Sequence, residues 1–436
     1  MFGLAKFITA NFSGCYSSPT ALFPIIAAVK YFAIPGEHLT NYRMVAKTIF
    51  GLEELCATEL KLLGAESIEI HNRAVSFTGN MGVMYKANLL LRTALRVLVQ
   101  FAEFEVEDEH ELYNQVKAIA WETLITPAET IAIDTVLNTE VFTHSQYISQ
   151  KTKDAICDRF REKTGVRPSV ELDKPTLRLH LHVSRNRCVL ALDSSSDSLH
   201  KRGYREKTNL APINEVLAAG LVQLTEWDRR STFVDPMCGS GTILIEAAML
   251  AANIPSGYFR DWFGFMSWKQ LLPFNEELWA KIHTAAIERI STENISLYGI
   301  ELSPNVARKA KENVKRSKTE DMIKIRSADF LTSDAPPLVG NKPVLLMNPP
   351  YGERMDQEDI GELYHNCGDT FKKKYEGYDC WMISSNHEAL KLVGLATSKR
   401  LTVYNGQLEC RFFRYSMYKG TRVKEKIKKD DDTTSA

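Results

Sequence analysis

The chain has 436 residues, which at about 150 residues per domain suggests roughly three domains. With 44% hydrophobic and 25% charged residues it has the composition of an ordinary globular protein, and disordered, collagen-like and heptad-dominated chains are excluded. Lys plus Arg and Asp plus Glu both number 54, so no whole-molecule field attracts polyanions and any nucleic-acid contact must come from a local basic face.

The 8 cysteines are scattered, with no C-x-x-C pair and no histidine at zinc spacing, so no metal site is expected. Reduced thiols of this kind imply a cytoplasmic location. Residues 7–29 carry no charge, but Gly14, Pro19 and Pro24 break them, so they are too polar for a spanning helix and no membrane partner is expected. Lys6 ahead of Phe23-Pro24-Ile25-Ile26 is a poor version of a secretory signal. Residues 1–43 are read as a non-native or dispensable extension, with a targeting segment or a folded arm as the alternatives.

From Met44 the pattern is regular. Leu52, Leu55, Cys56, Leu60 and Leu63 form one helical stripe that Gly64 stops. Short strands follow over 67–70 and 74–77. A second amphipathic helix is predicted over 83–99, which would put Arg92 and Arg96 on one face, read as solvated. Residues 100–197 predict a strand over 130–137, a helix over 146–163, and strands over 177–183 and 188–193.

The predicted helix and the turn behind it carry Lys151, Lys153, Arg159, Arg161, Lys163 and Arg167, while the acidic run 103–111 lies apart in sequence. Charge is thus segregated although the total cancels, which is the footprint of an RNA-binding module; an ordinary solvated helix face is the alternative. Residues 193–197, with Gly203 shortly after, form a polar break and the best domain boundary. Just beyond it Lys201, Arg202, Tyr204 and Arg205 cluster in a way that suits phosphate contact with base stacking, although a docked linker would look similar.

Residues 232–252 read as an apolar strand, a Gly-x-Gly turn and a helix. The glycines let a ligand approach the backbone, and the helix start favours an anion or carboxylate. Leu244 replaces the third glycine of a dinucleotide fingerprint, and no P-loop lysine is present. Asp235, Pro236, Cys238, Gly239, Ser240, Gly241 and Thr242 are therefore read as a cradle for an amino-acid-bearing nucleoside such as S-adenosylmethionine. Glu301 ends a second strand where ribose hydroxyls are bound in nucleotide-binding α/β folds. Ser303 and Pro304 then open a helix with Ala307, Ala310 and Val314 on its buried stripe. The long gap from Gly241 to Glu301 implies an aromatic-rich insertion over 253–297. Asp329 ends a third strand and is placed to accept from an adenine amino group.

The run Asn348-Pro349-Pro350-Tyr351 follows an apolar strand. Two prolines fix the turn and remove two N–H donors. A nucleobase amine is a poor nucleophile, because its lone pair is delocalised into the ring. The amide oxygen of Asn348 and the carbonyl of Pro349 can accept its two N–H bonds and stabilise the charge that develops as nitrogen attacks a methyl sulfonium. Tyr351 can stack on a base that has left its helix or loop. These residues define an exocyclic or amide nitrogen as the target.

Over residues 44–418 the chain resembles the class I S-adenosylmethionine-dependent methyltransferases with an Asn-Pro-Pro-Tyr signature, and among them the bacterial THUMP-domain RNA guanine-N2 methyltransferases. The resemblance is carried by the opening Phe50-Gly-Leu-Glu-Glu54, the 199–205 cluster, Asp235-Pro-Met-Cys-Gly-Ser-Gly-Thr242, Asn348-Pro-Pro-Tyr-Gly-Glu-Arg354 and the closing Asn405-Gly-Gln-Leu-Glu-Cys-Arg411. It looks most like the N2-methylating half of the large-subunit ribosomal RNA enzymes, whose fused forms carry a further methyltransferase domain that this chain is too short to hold. The resemblance implies an α/β fold: a Rossmann-like methyltransferase domain over 198–420, with a mostly parallel sheet and a C-terminal antiparallel hairpin, preceded by an α+β THUMP-type region. It also implies a ferredoxin-like RNA-handling unit over 44–96 and a THUMP domain over 86–197, while 421–436 is expected to be a charged, disordered tail. The function expected is methyl transfer to N2 of a guanine in 23S ribosomal RNA by a monomeric enzyme. Alternatives are a transfer-RNA guanine-N2, DNA adenine-N6 or protein-glutamine methyltransferase, and a non-catalytic RNA-binding or ribosome-assembly protein that keeps the fold.

Overall fold

The computed structural model describes residues 30–31, 41–205, 213–270, 272–291, 295–350 and 357–418. Tyr351, the 421–436 tail and most of the 1–43 extension lie outside the described residues.

Alternating burial along β2 (Tyr42–Thr48) turns Tyr42, Met44 and Ala46 into a core, and α1 (Glu53–Leu62) closes over it with Cys56 and Leu60. The hairpin of β3 (Glu66–His71) and β4 (Ala74–Gly79) follows, then α2 (Met81–Leu90) and the long β5 (Ala94–Glu105). Next come α3 (Glu109–Ala118), β6 (Thr130–Asn138), α4 (Ser145–Thr164), β7 (Ser169–Val170), β8 (Leu177–Ser184) and β9 (Arg187–Asp193). Among the described residues these strands form one sheet in the order β3-β4-β2-β5-β9-β8-β6-β7, with β1 (Lys30–Tyr31) also pairing on β5. The 12-residue β5 is shared: its first half, residues 94–99, pairs β2 and its remainder, residues 98–105, pairs β9.

The second sheet is built from β10 (Phe233–Asp235), β11 (Leu297–Glu301), β12 (Ile323–Ser327), β13 (Val344–Met347), β14 (Asp379–Ser384), β15 (Lys399–Asn405) and β16 (Leu408–Ser416). Its order is β12-β11-β10-β13-β14-β16-β15. The first five in that order run parallel, and β16 is antiparallel to both neighbours. Helices α5 (Glu215–Leu224), α6 (Thr242–Ala251), α7 (Glu276–Ile287), α8 (Pro304–Arg316), α9 (Gln357–Lys374) and α10 (His387–Leu392) complete this half. Strand order reverses between β10 and β13, the place where open α/β sheets bind ligands. The architecture is the α/β class expected, with the antiparallel hairpin at the end of a mostly parallel sheet and an α+β region before it.

Two local expectations are corrected. The helix predicted over 83–99 ends at Leu90, because Leu91 is extended and the apolar run beyond it is a strand buried on both faces. Such a run fits helical and strand periods equally well. Arg92 and Arg96 therefore share no solvated helix face. Buried Arg92 donates to the carbonyls of Met249 (3.1 Å) and Ile254 (2.6 Å), and Arg96 engages Asp193 and the carbonyl of Ser196.

The polar break after β9 is a buried joint. The Ser195 hydroxyl donates to Asn88 Oδ1 (2.6 Å) and accepts from the Val97 N–H, while Asp193 accepts from the N–H groups of Ser195 and Ser196. Arg260 adds donations to the carbonyls of Ser195, Asp197, Ser198 and Lys201.

The aromatic insertion clamps the halves together. Phe263, Phe265 and Trp268 join the core of the first sheet, and the Tyr85 ring stacks on Phe265 at 4.5 Å. The Tyr85 hydroxyl accepts from the Asn275 N–H at 2.9 Å. Burying such rings on both modules favours one rigid body over a hinged pair.

Candidate active site

Asp235, Glu301 and Asn348 stand at or just past the carboxyl ends of the adjacent strands β10, β11 and β13, and Asp329 lies just past β12. The turn after β10 is shaped by Gly239 and Gly241, whose φ angles of 51° and 81° lie in the left-handed region that suits glycine. A Cβ on Gly239 would meet nothing within 4 Å, so the turn faces open space.

Glu301 ties that turn to the next strand. One carboxylate oxygen accepts the Gly239 N–H at 3.0 Å and the other the Ser303 N–H at 2.9 Å. Each oxygen keeps a second lone pair, so the carboxylate can still take a ligand hydroxyl. Leu302 beside it is 71% exposed and offers an apolar wall. Asp329 accepts the Leu331 N–H at 2.9 Å, which fixes the turn after β12. From α8, Asn313 reaches back to donate to the Ser240 carbonyl at 3.0 Å. The sequence reading passed over Asn313, although an amide beside an apolar stripe of Ala307, Ala310 and Val314 was a signal.

Part of the predicted cradle lies beneath the turn. Cys238 is buried in the core, its N–H is spent on the Ile300 carbonyl at 2.9 Å, and burial pushes its thiol well above the usual range. It is a packing residue, and the expectation of a cofactor contact from its side chain is withdrawn. Asp235 is also buried; burial, reinforced by the Glu301 charge and opposed by the Met237 N–H, pushes its carboxyl up to about 8. Pro236 and Thr242 are buried too, while Ser240 and Gly241 line the turn and the start of α6.

Asn348 differs from all of these. Its Oδ1 is buried and has no hydrogen-bond partner among the described residues. An acceptor left so is costly, by about 1–3 kcal/mol, and buried polar atoms of this kind ask for a ligand donor. Pro349 follows, also buried, with no N–H to satisfy that oxygen.

Family models match three stretches of the chain: an RMKL-like methyltransferase domain over residues 202–414, a THUMP domain over 106–193 and the RlmL ferredoxin-like domain over 43–98. A Synechocystis protein named as an RNA methyltransferase is 34% identical over 370 residues, with 84% of this chain and 95% of that protein covered. The chain belongs to the THUMP-domain class I S-adenosylmethionine-dependent methyltransferases.

The ribosomal RNA large subunit methyltransferases K/L of Syntrophotalea carbinolica and Methylococcus capsulatus are each 36% identical to this methyltransferase. They are matched over 84% of this chain but only 52% and 50% of their own length, so the chain spans about half of these relatives. A methyltransferase solved with S-adenosylhomocysteine superposes with a TM-score of 0.77 at 27% identity, over 87% of this chain and 99% of that one. A Clostridium difficile protein described as a methylase gives 0.78 at 29% identity, over 88% and 100%. S-adenosylmethionine is the cofactor, and the open glycine turn, the Glu301 lone pairs and the orphaned Asn348 oxygen fit it.

The RNA-binding residues expected in this methyltransferase fall into two groups. Arg202 and Tyr204 are corrected: they are 1% and 2% exposed and meet Glu246, itself 0% exposed, at 3.3 and 3.2 Å. Neither side chain can reach a nucleic acid, because a cation in a closed interior must pair with an anion. A lone Glu246 inside the otherwise apolar helix α6 was the signal for that partner. Arg205 points to the glycine turn, contacting Thr242 Oγ1 and pairing with Glu215 at 3.1 Å. Lys201 stays exposed beside Asp197.

On α4 the charges are less segregated than the sequence implied, because carboxylates of α4 itself and of the turn after α3 pair with its cations. Arg159 makes a two-pronged pair with Glu122 (2.6 and 3.0 Å), Arg161 meets Asp158 (2.7 Å) and Lys153 meets Asp154 (2.9 Å). Lys151 sits over the Tyr113 ring, and the exposed Arg167 passes Cys157 at 4.0 Å. Lys163 is exposed in the last turn. Among the described residues no group of side chains could hold a metal ion, and no helix is long and apolar enough to cross a membrane.

Proposed function

We propose that this enzyme methylates RNA, transferring the methyl group of S-adenosylmethionine to the exocyclic N2 of a guanine in large-subunit ribosomal RNA. The observation that carries the reading is the buried, unpartnered Oδ1 of Asn348 beside a proline-fixed turn. An exocyclic amine has two N–H bonds to give, and Asn348 with the Pro349 carbonyl supplies two acceptors. By accepting them the pair holds the amine with its lone pair turned to the reacting carbon and stabilises positive charge as the C–N bond forms. The bound cofactor supplies an electrophilic sulfonium methyl and leaves as S-adenosylhomocysteine. Asn348 is not a base, so the extra proton leaves to solvent after transfer. Glu301 and Asp329 are assigned to the ribose and the adenine, and the glycine turn to the amino-acid end.

The choice of RNA is supported by the THUMP match over 106–193 and by the names of the relatives, and the choice of guanine by the family resemblance of the motifs around Asn348. Residues 44–197 are assigned to RNA handling and 198–420 to chemistry. The cysteines of the described residues are buried and none is in a disulfide, which fits a cytoplasmic enzyme.

Incubating the purified chain with methyl-tritiated S-adenosylmethionine and, separately, ribosomal and transfer RNA tests the reading. Label recovered as N2-methylguanosine from large-subunit RNA is expected. Label in transfer RNA alone would keep the chemistry and change the substrate, and label in neither would overturn both.

A further inference from the structure

Two motifs are left unused by the cofactor site: the opening Phe50-to-Glu54 run and the closing Asn405-to-Arg411 run. They are some 350 residues apart in sequence, and Tyr404 of the edge strand β15 links them in space, touching Phe50 of the first and Glu409 of the second. Gly51, with φ of 90°, passes so close that a Cβ there would lie 2.5 Å from the Thr402 carbonyl oxygen. The Phe50 ring stands edge-on to Tyr404, with centroids 5.4 Å apart at 80°. Above the same tyrosine lies the Arg73 guanidinium, 4.9 Å from the ring centroid.

The three groups are held in place by their neighbours. Glu53 accepts the Gly51 N–H at 2.7 Å and the Arg73 N–H at 3.0 Å, which pins Arg73 in a left-handed conformation (φ 57°) that side chains other than glycine seldom adopt. Tyr404 donates its hydroxyl to Glu409 at 3.1 Å, and Glu409 also pairs with Arg411 at 2.9 Å. Both carboxylates are thus engaged, which reduces their repulsion of a polyanion.

A joint between modules needs only buried contacts, and Leu52 supplies them. It is fully buried, and a Cβ on Gly220 of α5 would come within 2.5 Å of it. Phe50, two residues earlier, stays 38% exposed, and Arg73 is exposed as well. This leaves an aromatic face and a cation open to solvent beside a sealed joint.

Its position matters for a strand entering the catalytic turn. β13 is parallel to β14, and the two reversals through β16 make β15 run the same way. The end of β15 therefore lies on the same edge of the sheet as Asn348. Three strand spacings separate them laterally, about 14 Å, with β15 running on for about 10 Å more. That is a distance a flexible RNA strand covers in a few nucleotides.

We infer that Phe50, Tyr404 and Arg73 form a stacking shelf for one unpaired base of the RNA strand flanking the target guanine, with Arg73 facing its phosphate. The inference rests on the RNA-methylation reading above. Aromatic faces beside an arginine are what sequence-tolerant binding of single strands uses.

The test is fluorescence anisotropy of a labelled oligouridylate with the full chain and with Phe50→Ala, Phe50→Leu and Arg73→Ala, alongside calorimetry with S-adenosylhomocysteine. Each variant should weaken oligouridylate binding about fivefold or more, the lower range for a lost base stack, with cofactor-product affinity unchanged. Phe50→Leu keeps apolar bulk at the joint, so it reads the ring's face even if the alanine variant folds poorly. Binding by all three variants within about twofold of the full chain would overturn the shelf. A parallel loss of S-adenosylhomocysteine affinity would also overturn it, by showing the residues to be only a joint. Failure of the unaltered chain to bind either oligouridylate or folded ribosomal RNA would bring down the RNA reading itself.

Discussion

The carboxyl edge of the catalytic sheet and the basic face of α4 are both rich in polar groups, and they treat them oppositely. On α4, Arg159, Arg161 and Lys153 each have a carboxylate of their own within 3.0 Å. At the end of β13, Asn348 keeps a buried acceptor with no partner among the described residues. What marks function is the placement of that open acceptor at a strand end beside the glycine turn, because Thr152 Oγ1 on α4 is likewise buried without a partner among the described residues. The Arg202–Glu246 pair marks the other extreme, with charges wholly enclosed and serving to join the modules.

The sharpest way to break this contrast is at Asn348. Asn348→Ala should cut the methyl-transfer rate by about a thousandfold, as loss of a preorganised charge-stabilising group does. Its affinity for S-adenosylhomocysteine by calorimetry should stay nearly unchanged, and normal turnover would remove Asn348 from the reaction. Next comes the enclosed pair. Glu246→Ala strands the Arg202 cation and should cost about 3 kcal/mol in urea unfolding, whereas replacing both by apolar residues, Glu246→Leu with Arg202→Met, should recover most of it. A double variant as unstable as the single one would show that the pair is needed for more than its charge balance.

The two sheets also carry buried groups that titrate in opposite senses. Asp235 is raised by burial to about 8, so between about pH 4 and 8 the native state holds a proton that the unfolded chain has lost, and stability falls as pH rises. Asp235→Asn should accordingly gain melting temperature over the parent as pH goes from 5 to 8.5. His180 on β8 is lowered to about 4, chiefly by burial and then by Lys47. The unfolded chain binds the extra proton between about pH 4 and 6.5, so stability is lost as pH falls through that window. His180→Gln should gain on the parent there. Flat differences in either scan would mean that the group titrates alike in both states. The smallest effect is expected on α4: Arg161→Ala, already engaged by Asp158, should lower affinity for ribosomal RNA by less than about threefold, in line with a single exposed charge.

What was legible in the sequence follows the same division. Motifs at strand ends were readable because the chemistry fixes both residue type and position: glycines at 239 and 241, a carboxylate at 301, an amide at 348. The strand over 177–183 was readable because its apolar residues alternate, and those over 130–137 and 188–193 because they are short apolar runs rich in β-branched or aliphatic residues. The long β5 was not, since strands buried on both faces lose the alternation that separates them from helices. Burial of Ser194 and Ser195 was also hidden: a polar run reads as a loop until the partners that satisfy it, Asn88 and the carbonyl of Val97, are brought in from about 100 residues away. Arg202 and Tyr204 misled for the same reason, because Glu246 lies 44 residues beyond Arg202 in sequence.

The measurement that tests the central claim most directly is nucleoside mass spectrometry of separated ribosomal and transfer RNA from cells with and without the gene, with the lost methyl mapped. Loss of a single N2-methylguanosine from large-subunit RNA, restored by the parent gene and not by Asn348→Ala, is the predicted result. An unchanged set of RNA methyl marks in the cells without the gene would contradict it.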